Sequence, residues 1–338
     1  MIVEASTQES RVPSPARWPQ WHCPEHAGAL TAQPEGDGNG LTCAAGHVIP
    51  CVRGIPRFVS GETYADLFGA QWNRFPKTQL DSYTGKPITR DRVRRCLGET
   101  LWRSLAGKQV LECGCGAGRF TEILLAEGAY VTSIDLSSAV DANARNFPIG
   151  PRHRIAQADI MKLPFARQSF DIVFCLGVIQ HTPSSEGTIE ALSRFVAPGG
   201  WLIIDHYTYT LGWYTKTAPL FRAWLKRLPA ERAARITERL VDVLLPWHKR
   251  VANIPIARSI VHRLSPVLSF YVLYPELDDR LQHEWALLDT HDSLTDWYKH
   301  FRTRGQIQGT LEQLGFADIW CERGGNGVEA RGRRPVST

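Results

Sequence analysis

Apolar and polar positions fall into two alternating patterns between residues 107 and 205. Short apolar runs at 110–112, 129–135 and 170–176 predict strands, and the last is nearly continuous, as a strand buried on both faces should be. A short run near 156 leads to Asp159, and residues 197–205 read as a turn followed by a fifth strand. Between the runs, apolar residues recur at three- and four-residue steps. Helices are predicted at 119–126, from Ser137 and Ser138, and from Ser184 and Ser185, where hydroxyls suit a helix start. Strictly alternating strands and helices predict a parallel sheet.

About a hundred residues then pass before the pattern resumes, too long for a structureless loop in a compact domain. Trp213, Leu220, Phe221, Trp224, Leu225 and Leu228 recur at helical steps, as do Ile236, Leu240, Val243 and Leu244. Pro229, Pro246, Pro255 and Pro266 are expected to divide this stretch into short helices. It reads as a helical cap inserted over the carboxyl ends of the strands. Residues 306–315 predict a further helix ended by Gly315, and 317–321 and 326–332 predict two last strands.

The first strand ends in Glu112 and runs into Gly114, Gly116 and Gly118. Glycines here allow a sharp turn and a close approach of ligand to backbone, and the helix start offers unpaired N–H groups. The spacing is G-x-G-x-G, whereas the dinucleotide fingerprint is G-x-G-x-x-G. A carboxylate two residues before the loop would repel a pyrophosphate but suits an amine-bearing cation such as S-adenosylmethionine (SAM). Asp135, at the end of the second strand, can accept ribose hydroxyls, and Asp159 stands where an adenine amino group would be met. This succession resembles the class I SAM-dependent methyltransferases over about residues 105–206 and 306–332. The resemblance implies a doubly wound, Rossmann-like, seven-stranded and mostly parallel sheet that closes with an antiparallel hairpin. It also implies Glu112, Gly114, Gly116 and Gly118 around the methionine, Asp135 with Leu136 at the ribose, and Asp159 with Ile160 at the adenine. The competing readings are a Rossmann-like domain that binds a nucleotide without chemistry, or a NAD enzyme.

Ahead of this fold, Cys23 and His26 are followed by a Gly/Asp/Asn turn at 35–40 and then by Cys43 and His47. Two pairs of sulfur and nitrogen ligands flanking a turn match the demand of tetrahedral zinc. The segment resembles the zinc ribbon before some bacterial methyltransferase domains, including 23S rRNA guanine methyltransferases. That pattern has cysteine where this chain has His26, with His22 and Cys51 as substitute ligands; a ribbon that packs without metal is the alternative. The aromatic-rich residues 68–75 resemble a segment ahead of the SAM loop in methyltransferases of bacterial biosynthetic clusters, with Gln79 and Asp81 in reach of a ligand and Trp72 and Phe75 as packing residues. The expected organisation is therefore a disordered lead-in (1–20), a separate zinc-ribbon-like unit (21–59), the core (60–206), the cap (207–305) and the end of the core (306–338).

Eight cysteines in 338 residues do not suggest a disulfide framework. The N-terminus carries no basic region followed by an apolar one, and no apolar run reaches membrane-spanning length; a cytoplasmic setting is expected. The net charge of +5 is uneven. Residues 211–263 hold eleven Lys or Arg against three acids, so this segment is +8 and the remainder −3. Such an excess suits an acidic small-molecule acceptor, RNA, peripheral contact with an anionic membrane, or a solvated face. Its aromatics fall at helical core spacing, which disfavours a base-stacking surface. His181 and His206 follow the fourth and fifth strands and are the candidate catalytic bases. Asp289, His291, Asp292 and Tyr298 are further polar residues that reach the same space, with Asp289 and His291 sharing one face of an extended segment. These features read as methyl transfer from SAM to O or N of a small, acidic or glycan-type acceptor, with an RNA base methyltransferase and a non-catalytic SAM-binding protein as alternatives.

Overall fold

The structure is a computed structural model and describes residues 18–32, 40–209 and 216–336. Most of the lead-in, the turn at 35–39 and Trp213 lie outside the described residues. Four short strands come first, β1 (Thr31–Ala32), β2 (Gly40–Thr42), β3 (Val48–Val52) and β4 (Ile55–Pro56), paired antiparallel in that order. Helices α1 (Asp66–Arg74), α2 (Asp81–Thr84), α3 (Ile88–Leu97) and α4 (Glu99–Arg103) follow. The alternating part runs β5 (Gln109–Cys113), α5 (Arg119–Ala126), β6 (Tyr130–Asp135), α6 (Ala139–Asn146), β7 (His153–Gln157), β8 (Phe170–Cys175), α7 (Ser185–Ser193) and β9 (Val196–Tyr207). The inserted helices are α8 (Ala218–Leu225), α9 (Ala230–Val251), α10 (Pro255–Leu264) and α11 (Asp279–Thr295); α12 (Arg304–Gln313), β10 (Ala317–Gly324) and β11 (Gly327–Arg333) complete the chain. No helix of the described residues is long and apolar enough to cross a membrane.

The large sheet has seven strands in the order β10-β11-β9-β8-β5-β6-β7, parallel from β9 to β7 and antiparallel at the β10–β11 hairpin. This is the expected Rossmann-like mixed sheet. Every residue of β8 except Asp171 is fully buried, because helices cover both of its faces. Val93, Leu97, Leu105, Phe120 and Leu124 fill one side; Ile189, Leu192, Ile307 and Leu311 fill the other. The chain leaves β5 toward β6 and later returns to place β8 on the opposite side of β5. A crevice therefore opens beyond the carboxyl ends of these strands.

Two expectations are corrected. Residues 21–59 do not form a distinct unit. Their own core is only Cys23, Leu30, Cys43 and Ile49, and they share Trp21 and Phe58 with the main core. His22 N donates to Pro164 O (2.8 Å) and Phe58 N to Gln157 O (2.8 Å), so the segment is pinned against the β7 edge of the sheet. So small a core does not hold a fold alone. Pro246, expected to end a helix, lies inside the 22-residue α9. It sits on the exposed face, where the carbonyl that loses its donor is open to water. Pro229 and Pro255 do mark helix starts, at the N-cap of α9 and the first turn of α10.

Asp205 on β9 and Glu329 on β11 are direct cross-strand partners, and both are buried. Like charges directly opposite destabilise a sheet. Here Arg92 of α3, also buried, donates to Asp205 and to Glu329 (3.3 Å), and Arg95 donates twice to Glu329 (2.7 and 2.8 Å). Two guanidinium groups thus balance two carboxylates and clamp α3 across the two strands. Replacing Arg92 with Met should lower the unfolding free energy by about 3–5 kcal/mol, because it leaves buried charge uncompensated; urea denaturation of the variant measures this directly.

Candidate active site

A cavity of about 580 Å³ occupies the crevice, within the size range of small-molecule sites. Its floor is the sheet end, including Gly114, Gly116, Asp135, Asp159, Gly177 and His181. Its roof combines α1 (Phe68, Gln71, Trp72) with the inserted helices (His262, Leu288, Asp289, Asp292).

The glycine loop is held by two N–H groups, those of Gly114 and Cys115, on the carbonyl of Ile134 (2.8 and 2.9 Å). Gly114 has a φ of +76°, and a Cβ there would meet Val178 Cγ2 at 2.2 Å, so glycine is required twice over. Trp72 lies against Gly116, 3.1 Å from where its Cβ would be, and lines the cavity as well as packing α1. Asp135 receives Gly116 N (3.0 Å), Ser137 N (2.9 Å) and Ser137 Oγ (2.7 Å), which ties the end of β6 to the loop. Asp159 caps the short 3-10 turn Ile160–Lys162 through Met161 N (2.8 Å). Leu136 and Ile160 line the cavity beside these acids.

Glu112 and Gly118 lie behind the cavity wall rather than in it, and Glu112 Oε1 has no hydrogen-bond partner among the described residues. Glu112 is buried beneath the loop and is absent from the cavity wall. Its carboxylate takes the hydroxyls of Thr121 (2.5 Å) and Ser133 (2.8 Å), while burial pushes its pKa up to about 7 against those hydrogen bonds. Its place is internal, joining β5, β6 and α5. Gly118 faces Phe147 rather than the cavity, at the N-cap of α5. Alternation explains Glu112: its neighbours Leu111 and Cys113 both point to the other face of the sheet, and its own face is the one covered by α5.

The two histidines separate in the same way. His206 lies outside the cavity wall. Its Nε2 meets Ser185 Oγ (2.9 Å) and its Nδ1 the carbonyl of Tyr207 (2.8 Å), leaving no nitrogen for a ligand; burial holds its pKa down at about 4. Period two places Asp205 and Tyr207 on the opposite face, and Tyr207 lines the cavity. His181 remains in the wall, between the rings of Phe68 (5.5 Å) and Tyr207 (5.3 Å). Its Nδ1 lies 3.1 Å from Asp296 Oδ2, and its buried Nε2 has no hydrogen-bond partner among the described residues. Nδ1 also meets the carbonyl of Tyr298 (3.3 Å), which can only accept, so the proton is assigned to Nδ1 and Nε2 is left as acceptor. Burial opposes a charge on this ring, but Asp292 and Asp296 outweigh it and raise the pKa.

Asp296 had no sequence signal. It lies just beyond α11 and also receives Arg222 Nε (2.6 Å) and Lys299 Nζ (3.1 Å). Arg222, counted in the basic excess, therefore turns inward. Asp289 and His291 lie on helix α11, not on an extended segment, and so diverge: Asp289 and Asp292 face this cavity, while His291 Nδ1 donates to Gln71 Oε1 (2.8 Å) and the residue faces a second cavity between α1 and α9. Gln79 lines the first cavity and accepts from Arg119 Nη1 (2.9 Å); Asp81 instead caps the start of α3 through Thr89 N and Arg90 N (both 2.8 Å). Arg119 and Arg92 are wall residues that sequence reasoning missed; the position of Arg119 directly after Gly118 was the available sign.

At the N-terminal segment, Cys23 Sγ lies 3.4 Å from His26 Nδ1 and 3.1 Å from His47 Nδ1, and Cys43 Sγ lies 3.6 Å from His26 Nδ1. Cys23, His26 and His47 converge within 4.8 Å. His22 instead meets the Ala27 carbonyl (3.0 Å), and Cys51 pairs along β3 with Pro56.

A family model described as "Methyltransferase domain" matches residues 111–204. A ubiquinone biosynthesis O-methyltransferase from Pseudomonas putida (strain W619) is 37% identical over 183 residues, covering 52% of this chain and 76% of that protein. One from Alkalilimnicola ehrlichii is 34% identical over 122 residues, covering 35% of this chain and 47% of that protein. The chain thus spans less than half the length of several of these relatives, 42% for that of Aromatoleum aromaticum. Among solved structures, an S-adenosylmethionine-dependent methyltransferase from Mesorhizobium loti superposes with a TM-score of 0.42 at 17% identity, over 72% of this chain and 96% of that one.

Proposed function

The chain belongs to the class I SAM-dependent methyltransferase family, and on that premise we propose that it transfers a methyl group from SAM to an oxygen of a small molecule held in the 580 Å³ cavity. The observation that carries this reading is the juxtaposition, around one cavity, of the glycine loop, its strand-end acids and His181, whose buried Nε2 has no partner among the described residues.

The wall fits the cofactor. Asp135, Asp159, the backbone of Gly114, Gly116 and Gly177, and His181 all line the same cavity. Asp135 with Leu136 would hold the ribose, and Asp159 with Ile160 the adenine; the loop glycines would admit the methionine, with Arg119 near its carboxylate. When bound, SAM supplies an electrophilic methyl group on a good leaving group, so the protein mainly positions and desolvates. His181 Nε2 would accept the proton of the acceptor hydroxyl as the new O–C bond forms. Asp296 orients the ring and stabilises the imidazolium. The roof of inserted helices encloses a volume suited to a small molecule rather than a nucleic acid strand, and the relatives are O-methyltransferases by name.

The same reading extends to the N-terminal segment, where Cys23, His26, Cys43 and His47 would hold one structural zinc. Zinc bonds of about 2.0–2.3 Å in a tetrahedron set ligand atoms roughly 3.5 Å apart; Cys23 lies 3.4 and 3.1 Å from His26 and His47, and Cys43, outside that mutually close trio, lies 3.6 Å from His26. A bound ion would compensate for the small core of this segment.

Three outcomes test these assignments. Asp135→Ala should weaken binding of S-adenosylhomocysteine by about 1–3 kcal/mol in titration calorimetry, and an unchanged affinity would remove Asp135 from the ribose site. A base must be unprotonated to act, so kcat/KM should fall as pH drops, with its acid limb above the ordinary histidine value of 6.5 because the His181 pKa is raised. His181→Gln should lower the rate about 10²–10⁴-fold and abolish that limb; survival of the limb would assign it to another group. Elemental analysis of protein purified without chelators should find about one zinc per chain, and a folded N-terminal segment without metal would refute the zinc site.

A further inference from the structure

The large apolar side chains left on the surface are concentrated in the inserted helices. On α10, Ile256 (78% exposed), Ile260 (52%) and Leu264 (68%) recur every four residues, and no residue of this helix is buried. Leu220 (74%) and Trp224 repeat the step on α8, and Val243 and Trp247 repeat it on α9. Thr217, at the N-cap of α8, donates through N to Arg263 O (3.0 Å) and through Oγ1 to Leu264 O (2.9 Å), which brings the start of α8 to the end of α10. The stripes therefore lie on adjoining helices. An exposed apolar surface of this kind marks an interaction site.

Its charge names the partner. Arg263 is exposed between Ile260 and Leu264, Arg250 lies over the Trp247 ring (5.1 Å), and Arg227 is exposed after Trp224. The segment 211–263 carries eleven basic residues and three acids; Arg222 and Lys216 turn toward the interior, and the others keep the surface strongly positive. A two-fold interface between copies would set this charge against itself. Anionic lipid instead satisfies both halves of the pattern: acyl chains take the aliphatic stripe, phosphates take the arginines, and the tryptophans suit the boundary between them.

We propose that α8, the C-terminal half of α9 and α10 form a docking face for an anionic lipid bilayer, with Ile256, Ile260, Leu264, Leu220 and Trp224 entering the headgroup–acyl boundary. The face stands apart from the chemistry but shares a helix with it. His262 of α10 lines the active-site cavity, two positions from Ile260 and so on the other side of the helix. Lys216, just before α8, lines it too. Docking would hold the cavity next to the lipid surface, so an amphiphilic acceptor carried in that surface can reach it; this consequence rests on the methyl-transfer reading, whereas the docking itself does not.

The test is flotation of the full chain with vesicles, read without turnover. Vesicles of phosphatidylcholine with about one third phosphatidylglycerol should bind the chain at least tenfold more strongly than phosphatidylcholine alone, and raised salt should weaken that binding, as screening requires. The triple substitution Ile256→Ser, Ile260→Ser and Leu264→Ser should lose the binding at least tenfold. Its melting temperature should be unchanged, because the replaced side chains are exposed. The pair Arg250→Glu and Arg263→Glu should lose selectivity for the anionic vesicles. Equal binding to both vesicle types, or none, would overturn the proposal. So would sedimentation of the chain as a dimer that the triple substitution dissociates, which would make the face an interface between copies.

Discussion

Closure of the cavity turns on the carboxylate of Asp296. It is buried, yet it receives Arg222 from α8, His181 from the end of β8 and Lys299 from the segment after α11. Such a charge is tolerable in the interior only when its partners surround it. Those partners come from the sheet and from both ends of the inserted helices, so the electrostatic demand of one group decides how the roof sits on the floor. It also stands beside His181, whose Nδ1 lies 3.1 Å from Oδ2 and whose Nε2 is buried without a partner among the described residues.

The same logic recurs at the far side of the site. Asp205 and Glu329 face one another across β9 and β11, and Arg92 and Arg95 make that pairing tenable. Asp205 Oδ1 also accepts Gly177 N (2.6 Å), so the clamp reaches the loop after β8. On the other side of the switch point, Asp135 binds Gly116 N and Ser137 N, and carries the turn after β6 together with the glycine loop. Acids at strand ends thus have two duties here. Some face the ligand space, and some keep the loops that shape it in register.

Much of the core was legible beforehand because local pattern and global fold agree. The helix expected at 119–126 is α5, with those bounds, and the strands expected near 110, 130, 170, 200, 317 and 326 are all present. Gly114 and Gly116 reach the cavity with Asp135, Leu136, Asp159 and Ile160 beside them. What local pattern did not settle was the facing of individual side chains. Glu112 and His206 sit at strand ends beside the cavity, and period two turns Glu112 toward α5 and His206 toward α7. Asp289 and His291 were paired on an extended segment that is in fact helical, where two residues span more than half a turn.

The sequence by itself determined the strand and helix alternation, the glycine turn and the acids that follow it. Each of these depends on neighbours within a few residues, where backbone sterics and hydrophobic period act. It also determined that the long insertion is helical and basic. Only the tertiary structure decided that the N-terminal segment leans on the sheet edge, that Pro246 is carried inside a helix, and that His181 rather than His206 lines the cavity. It alone decided that Arg222 is spent on Asp296 while Ile256, Ile260 and Leu264 are left facing outward. These outcomes depend on which surfaces distant segments cover and on which buried charges must be balanced, and neither is set by residues adjacent in the chain.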